Sequence, residues 1–421
     1  MELQEMSAAQ LTEQKQELSR RYEEFKSRGL SLDMSRGQPC TEQFDLSNSM
    51  LGVLHDGDQC LCGNTDCRNY GVVDGLPELK QLFAGILDTS PEDVVVGGNS
   101  SLNMMFDVIA QGMTHGFGEG PWAGKQGLKF LCPSPGYDRH FSVTEYFGFE
   151  LIAVEMTPDG PDMDAVERLV ADPSVKGMWC VPKFSNPQGY VYSDDTVRRI
   201  AALRPAAKDF RIIWDNSYAV HSLFADVPLL PIQPECVKAG NPDLVIQFTS
   251  TSKISFAGAG VAALAASEGN RAFIKKRLGA QTIGPDKLNQ LRHSLYFKNL
   301  DGVKQQMERH AAILRPKFEM VLSIFEKELA GVVSWNKPMG GYFISVDTMD
   351  GCASRVVTLC REAGVNLTPA GATYPYGKDP RDRNIRVAPT RPPVEELRIA
   401  TELFCIAARL ATVEKLLQQA Q

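Results

Sequence analysis

The sequence predicts an α/β fold: a large domain built on a mostly parallel, seven-stranded-type sheet covered by helices, followed by a smaller α+β domain. Three observations predict it. From about residue 50 to 297, short apolar runs alternate with amphipathic helical stretches, the pattern of parallel strands joined by helical crossovers. The runs that begin at 178, 211 and 244 start 33 residues apart, close to the length of one strand–helix–strand unit. After about residue 300 the texture changes to long helical stretches broken by short strands.

Taken in chain order, residues 11–25 mix both charges with scattered apolar positions and read as an exposed helical arm. Apolar runs at 94–96, 129–132, 151–154, 178–181, 211–214 and 244–248 read as buried strands. Beyond them come a helical stretch over 302–329, a glycine-bearing strand pattern over 339–346 and a further helix. A short strand at 384–387 and a terminal helix from Val394 close the chain. The domains expected are 1–48 (arm and part of the small domain), 49–300 (large) and 301–421 (small).

Composition narrows the function classes. Of 421 residues, 43% are hydrophobic and 23% charged, which excludes a disordered chain. With 44 Lys and Arg against 51 Asp and Glu the net charge is −7. No long basic run offsets it, so neither nucleic acid nor an anionic membrane is an expected partner. The longest uncharged stretch, 254–267, has fourteen residues and is too short to cross a bilayer. The N-terminus lacks the apolar core of a secretory signal, and ten cysteines read as reduced thiols, so the cytoplasm is expected. Cys60, Cys62 and Cys67 are spaced C-x-C-x4-C, which is not a zinc pattern, and no metal is expected.

In open parallel sheets, ligands bind at the carboxyl ends of the strands. Three successive strand ends carry chemistry here. Lys183-Phe184-Ser185-Asn186-Pro187-Gln188-Gly189 follows the first, Asp215-Asn216-Ser217-Tyr218 the second, and Thr249-Ser250-Thr251-Ser252-Lys253 the third. Each alone has a bland account: a turn, a strand-end acid, a surface lysine. Together they suit an aromatic aldehyde cofactor. A lysine amine forms a Schiff base. A carboxylate keeps a pyridine nitrogen protonated so that the ring can take up electrons, while an amide and a phenol hold its phenolic oxygen. Gly97-Gly98-Asn99-Ser100-Ser101 precedes an apolar helix whose N-terminus can take a phosphate.

These residues resemble the fold-type I pyridoxal-phosphate aminotransferases. The likeness runs from about Ser35 to near the C-terminus. Its marks are Asn186-Pro187-x-Gly189, Asp215-x-x-Tyr218, Ser250-x-Ser252-Lys253, Gly340-Gly341-Tyr342-Phe343 and Ile385-Arg386-Val387. Ser35-Arg36-Gly37-Gln38-Pro39, Arg68-Asn69-Tyr70-Gly71 and the stretch 253–260 resemble a bacterial branch of aspartate aminotransferases related to the effector domains of MocR-type regulators.

The resemblance implies pyridoxal 5'-phosphate as cofactor and transamination, with L-aspartate and 2-oxoglutarate giving oxaloacetate and L-glutamate. It implies that Lys253 bonds the cofactor and shuttles the proton, that Asp215 meets the pyridine nitrogen, and that Asn186 and Tyr218 meet the phenolic oxygen. Tyr137 stacks on the ring. Asn99, Ser100, Ser101 and Ser250 surround the phosphate, with Tyr70 reaching it from the other subunit of a homodimer with composite sites. Arg386 clamps the substrate α-carboxylate, a task for a planar guanidinium. Gly37 lies beside it. Arg36 or Arg292 is expected to meet the distal carboxylate, Arg36 being favoured because Gly37 lets backbone approach a ligand closely. Relatives that carry a phosphate-binding arginine seven or eight residues past the lysine differ here, where Gly260 and Val261 stand.

Rival functions are weighed on the same residues. Gly258-Ala259-Gly260-Val261-Ala262-Ala263 fits the G-x-G-x-x-A of nicotinamide enzymes, but Lys253 intervenes and no acid ends a second strand some 20 residues on. A ligand-sensing regulator without turnover would carry a winged-helix domain ahead of Ser35, and none is expected here because the residues before Ser35 read as one helix. An aminotransferase of aromatic or neutral amino acids and a β-lyase share the early chemistry.

Overall fold

The computed structural model describes residues 3–420. Its large sheet contains β1 (Val94–Val96), β2 (Lys129–Ser134), β3 (Glu150–Thr157), β4 (Gly160–Pro161), β5 (Val175–Cys180), β6 (Arg211–Asp215), β7 (Val245–Ser250) and β8 (Ala262–Ala266). They lie in the order β1-β8-β7-β6-β5-β2-β3-β4. The run from β7 to β3 is parallel throughout. β8 runs against both its neighbours, and the two-residue β4 caps the far edge. This is the expected mostly parallel sheet with a short eighth strand added.

Strands buried on both faces read as continuous apolar runs, which is why they are visible in the sequence. β5, β6 and β7 are buried at every residue. Alternate side chains feed two cores. Ile213, Ile246 and Phe248 join Phe130 and Trp179 on one face, while Ile212, Trp214 and Val245 join Val197 and Ile200 on the other. The register sets Asp215 beside Phe248 and Trp214 beside Cys180. The strand ends therefore form one edge.

β8 is the strand the sequence hides, being almost all alanine. It inserts between β7 and β1, and its first residue ties to the turn after β1 through Gly97 N–H to Ala262 O and Ala262 N–H to Gly98 O, both 2.8 Å. The G-x-G-x-x-A stretch thus ends inside an antiparallel strand, and the next helix begins only at Glu268. Dinucleotide binding needs those glycines to open a helix.

The smaller unit holds an antiparallel sheet of β9 (Ser334–Trp335), β10 (Ile344–Asp347) and β11 (Asn384–Val387). The strand expected over 339–346 is shorter, because Gly340 and Gly341 turn against the large domain. A Cβ on Gly340 would lie 2.5 Å from His221 O, and Gly341 has φ +83°. Residues 11–25 also depart from expectation. Helix α1 (Ala8–Lys26), started by a Ser7–Gln10 capping box, is no exposed arm. Leu11, Leu18, Tyr22 and Phe25 form one buried stripe in the smaller unit's core, and Tyr22 OH donates to Leu359 O at 3.0 Å.

The chain after α1 is what brings the N-terminal segment to the strand ends. Leu32–Asp33 pairs in parallel with Val365–Asn366. Thr368 and Thr390 hydroxyls then hold Ser35 O and Gln38 O, each at 2.8 Å. No helix among the described residues is long and apolar enough to cross a membrane.

Candidate active site

A cavity of about 570 Å³ opens where the ends of β5, β6 and β7 meet the segment 35–38 and the smaller unit. Lys253, Asp215, Tyr218, Asn186, Tyr137, Ser100, Ser101, Ser250, Arg386, Arg36 and Gly37 all line it. Asn99 and Arg292 do not, and neither does Tyr70, which is expected to serve the partner's site rather than its own. Asn99 is exposed and donates to Gly258 O at 3.4 Å, bracing a loop instead. Tyr70 stands outside with 80% of its surface exposed. Arg292 is held by Asn289 on a helix behind the lysine loop.

Asp215 ends β6 and is buried. His140 Nε2 lies 2.9 Å from its Oδ2, and Ser217 donates its hydroxyl to Oδ1. A carboxylate only accepts, so Nε2 carries a proton. Burial alone would raise the Asp215 carboxyl. The His140 and Ser217 hydrogen bonds and the Lys253 charge outweigh it and hold the group below the usual carboxylate range. His140 is fixed in turn by parallel stacking on Trp179, centroids 4.4 Å apart, with Tyr137 edge-on at 4.9 Å.

Lys253 follows β7 in the loop to β8. Its Nζ lies 5.2 Å from the Tyr218 ring centroid and 6.0 Å from that of Tyr342. Desolvation lowers its pKa, partly countered by the Asp215 charge. An amine so placed loses its proton more readily than a surface lysine, as nucleophilic attack requires. Burial raises the Tyr137 phenol to about 12 and the Tyr218 phenol well above its usual value, so both remain protonated donors.

Arg386, on β11, reaches across from the smaller unit. Its Nη1 contacts Asp138 Oδ1 at 2.9 Å and Asn186 Oδ1 at 3.2 Å, and its guanidinium lies 4.9 Å from the Phe343 ring centroid. Its Nε is buried without a partner, a donor left for an incoming acceptor. Gly37 is explained by the same ring. A Cβ there would lie 2.2 Å from Phe343, so the close approach is to the arginine's aromatic support rather than directly to a ligand.

An aromatic aldehyde bearing a phosphate fits this donor set. Helix α2 (Ser101–Thr114) begins at Ser100 with no side-chain cap, leaving its first N–H groups for an anion. The hydroxyls of Ser100, Ser101, Ser250 and Ser252 line the same end. A side chain at Gly260 would crowd the lysine loop, since a Cβ there would meet Ser252 N and Thr251 Oγ1 at 3.1 Å. Val261 is buried in the core of the large domain.

The sequence reasoning missed His140, Asp138 and Arg139. The first grips Asp215, the second grips Arg386, and the third lines the cavity. A signal existed: all three come directly after Tyr137, at the start of helix α3 (Asp138–Tyr146). Residue i+3 of a helix shares a face with residue i.

With that geometry established, the likeness to known proteins is informative. The family model described as Aspartate amino-transferase matches residues 6–420. A curated relative from Corynebacterium glutamicum, named aspartate aminotransferase, is 46% identical over 417 residues, 98% of this chain and 96% of its own length. A crystal structure of an aspartate transaminase from the same organism superposes with a TM-score of 0.97 at 46% identity, covering 99% of both chains. An α-aminoadipate aminotransferase from Thermus thermophilus, solved with N-(5'-phosphopyridoxyl)-L-leucine, has a TM-score of 0.72 at 20% identity. It covers 94% of this chain and 96% of that one and shares the fold.

Proposed function

The chain belongs to the aspartate aminotransferase family, and we propose that it transfers the amino group of L-aspartate to 2-oxoglutarate using pyridoxal 5'-phosphate. One observation carries this reading. Lys253, the His140–Asp215 pair and the Arg386–Asn186 contact converge on one cavity beside an uncapped helix N-terminus. The cofactor supplies an aldehyde for the amine and a protonated ring that takes up electrons. Lys253 holds it and moves the proton at the substrate α-carbon. Asp215, kept ionised by His140, keeps the pyridine nitrogen protonated. Asn186 and Tyr218 hold the phenolic oxygen, and Tyr137 packs on the ring face. Ser100, Ser101, Ser250 and the N–H groups of α2 hold the phosphate. Arg386 takes the α-carboxylate in both half-reactions.

The distal carboxylate of aspartate needs a second cation. Arg36 and Arg139 both line the cavity, and we assign the task to Arg36, with Arg139 as the alternative. We further propose a cytoplasmic homodimer in which Tyr70 completes the partner's phosphate site, and a place in the MocR-related branch. Support for the dimer is local. Lys287 Nζ bonds Gly71 O at 2.9 Å, which gathers exposed Tyr70, Ile283 and Leu288 into one region suited to burial against a second copy. The test is production of oxaloacetate and glutamate by the pure protein. Oxo-acid release that needs no amino acceptor would instead indicate a β-lyase. No turnover with any amino acid would indicate a sensor.

A further inference from the structure

The loop that carries Lys253, residues 251–261, joins β7 to β8 with little regular structure of its own. Helix α4 (Lys287–Phe297) lies against it and offers two residues one turn apart, Asn289 and His293. Asn289 Nδ2 donates to Gly260 O at 2.9 Å and Ala259 O at 3.2 Å, gripping the loop's far end. His293 is fully buried and faces its near end. No function assigned above uses this histidine.

Two loop hydroxyls converge on His293. His293 Nδ1 lies 2.8 Å from Asn289 O. A carbonyl only accepts, so Nδ1 bears the proton. Burial holds the imidazole down to about 4, so the ring is neutral near pH 7 and Nε2 has a free lone pair. Ser255 Oγ is 2.8 Å from that Nε2 and 3.0 Å from Thr251 Oγ1, and Thr251 Oγ1 itself lies 3.1 Å from Nε2. Thr251 Oγ1 accepts the Val261 N–H at 2.9 Å. Val261 N–H donates to Thr251 Oγ1, the Thr251 and Ser255 hydroxyls both lie within hydrogen-bond reach of His293 Nε2 and of each other, and His293 Nδ1–H donates to Asn289 O. The three side chains form one buried network, in which each bond strengthens the others.

We propose that His293 is a positioning residue: as the acceptor on which both hydroxyls converge it fixes Thr251 and Ser255, and thereby the Lys253 backbone that stands between them. The geometry is specific. Thr251 and Ser255 lie two residues on either side of Lys253, and Val261 closes the loop back onto its start. With both ends tied to α4, the amine is held over the Tyr218 ring without a direct contact from His293. This rests on the reading of Lys253 as the cofactor-bearing lysine, and the test separates the two.

Three variants of the holoenzyme test it: His293→Leu, which removes the acceptor; His293→Gln, whose Oε1 reaches the place of Nε2; and Ser255→Ala, which removes one of the two hydroxyls at that acceptor. Amide hydrogen exchange of Val261 is the primary readout. Exchange is expected to be about tenfold faster or more in His293→Leu, faster to a smaller extent in Ser255→Ala, and within about threefold of the parent in His293→Gln. In steady state with aspartate, kcat should fall about tenfold in His293→Leu while KM moves less than about threefold, with rescue by Gln. Unchanged Val261 exchange in His293→Leu, or a Gln variant as impaired as Leu, overturns the proposal. If His293→Leu does not fold, Ser255→Ala decides on the same exchange criterion. An active Lys253→Ala enzyme would overturn the reading of the lysine instead, and leaves the exchange result to judge the chain by itself.

Discussion

His140 and Asp215 meet at 2.9 Å inside the protein, both almost wholly buried, with the imidazole stacked flat on Trp179. This pair sets the ionisation of the acid at the centre of the proposed mechanism. A hydrogen bond to a charged group is worth about 1.5–3 kcal/mol, or about 10–150-fold in rate where the transition state depends on it. His140→Leu should therefore lower kcat/KM for aspartate by that range. Asp215 is depressed in the folded protein, so its charge is present above its usual titration range and is lost only as pH falls through the folded value. Removing His140 should move the acid limb of the pH–rate profile to higher pH. An unmoved limb would show that His140 does not tune Asp215.

The lysine gives a pH prediction of opposite form. Its folded pKa is lowered chiefly by desolvation, so between the folded value and about 10.4 the unfolded chain binds more protons and stability rises with pH. In cofactor-free protein, the unfolding free energy of the parent minus that of Lys253→Met should increase from pH 7 towards pH 10. Denaturant titrations at several pH values would measure it. A flat difference would mean that Lys253 is not desolvated.

Specificity for an acidic substrate is testable at the two cavity arginines. Losing the contact to the distal carboxylate should cost aspartate about 10–100-fold in kcat/KM and leave alanine, which lacks that group, nearly unchanged. Kinetics of Arg36→Ala and Arg139→Ala with both amino acids will separate them. If neither variant alters the aspartate-to-alanine ratio, the distal site lies elsewhere.

Tyr70 predicts complementation between chains. Lys253→Ala and Tyr70→Phe subunits, mixed and reassociated, give a heterodimer with one doubly damaged and one intact site if Tyr70 serves its partner. Activity should then recover above that of either parent variant. Verified subunit exchange without recovery would remove Tyr70 from the partner's site.

The sequence by itself determined the strands and the polar residues at their carboxyl ends. Parallel strands buried on both faces must be apolar throughout, so β5, β6 and β7 announce themselves, and the residues that leave each strand are its neighbours along the chain. Asn186, Asp215, Tyr218, Ser250 and Lys253 were legible for that reason. Only the tertiary structure decided the contacts between distant segments: His140 with Asp215, 75 residues apart, and Arg386 with Asn186, 200 apart. Such pairings depend on sheet order and on how the smaller unit docks, and neither leaves a periodic trace. The same limit hid β8, whose alanines carry no strand signature, and the buried stripe of α1, which in isolation looks like the dry side of a charged helix. It also changed the meaning of Gly37, whose missing side chain makes room for Phe343. A local pattern records what a residue demands of its own backbone, and burial against a partner element is settled only when the chain has closed on itself.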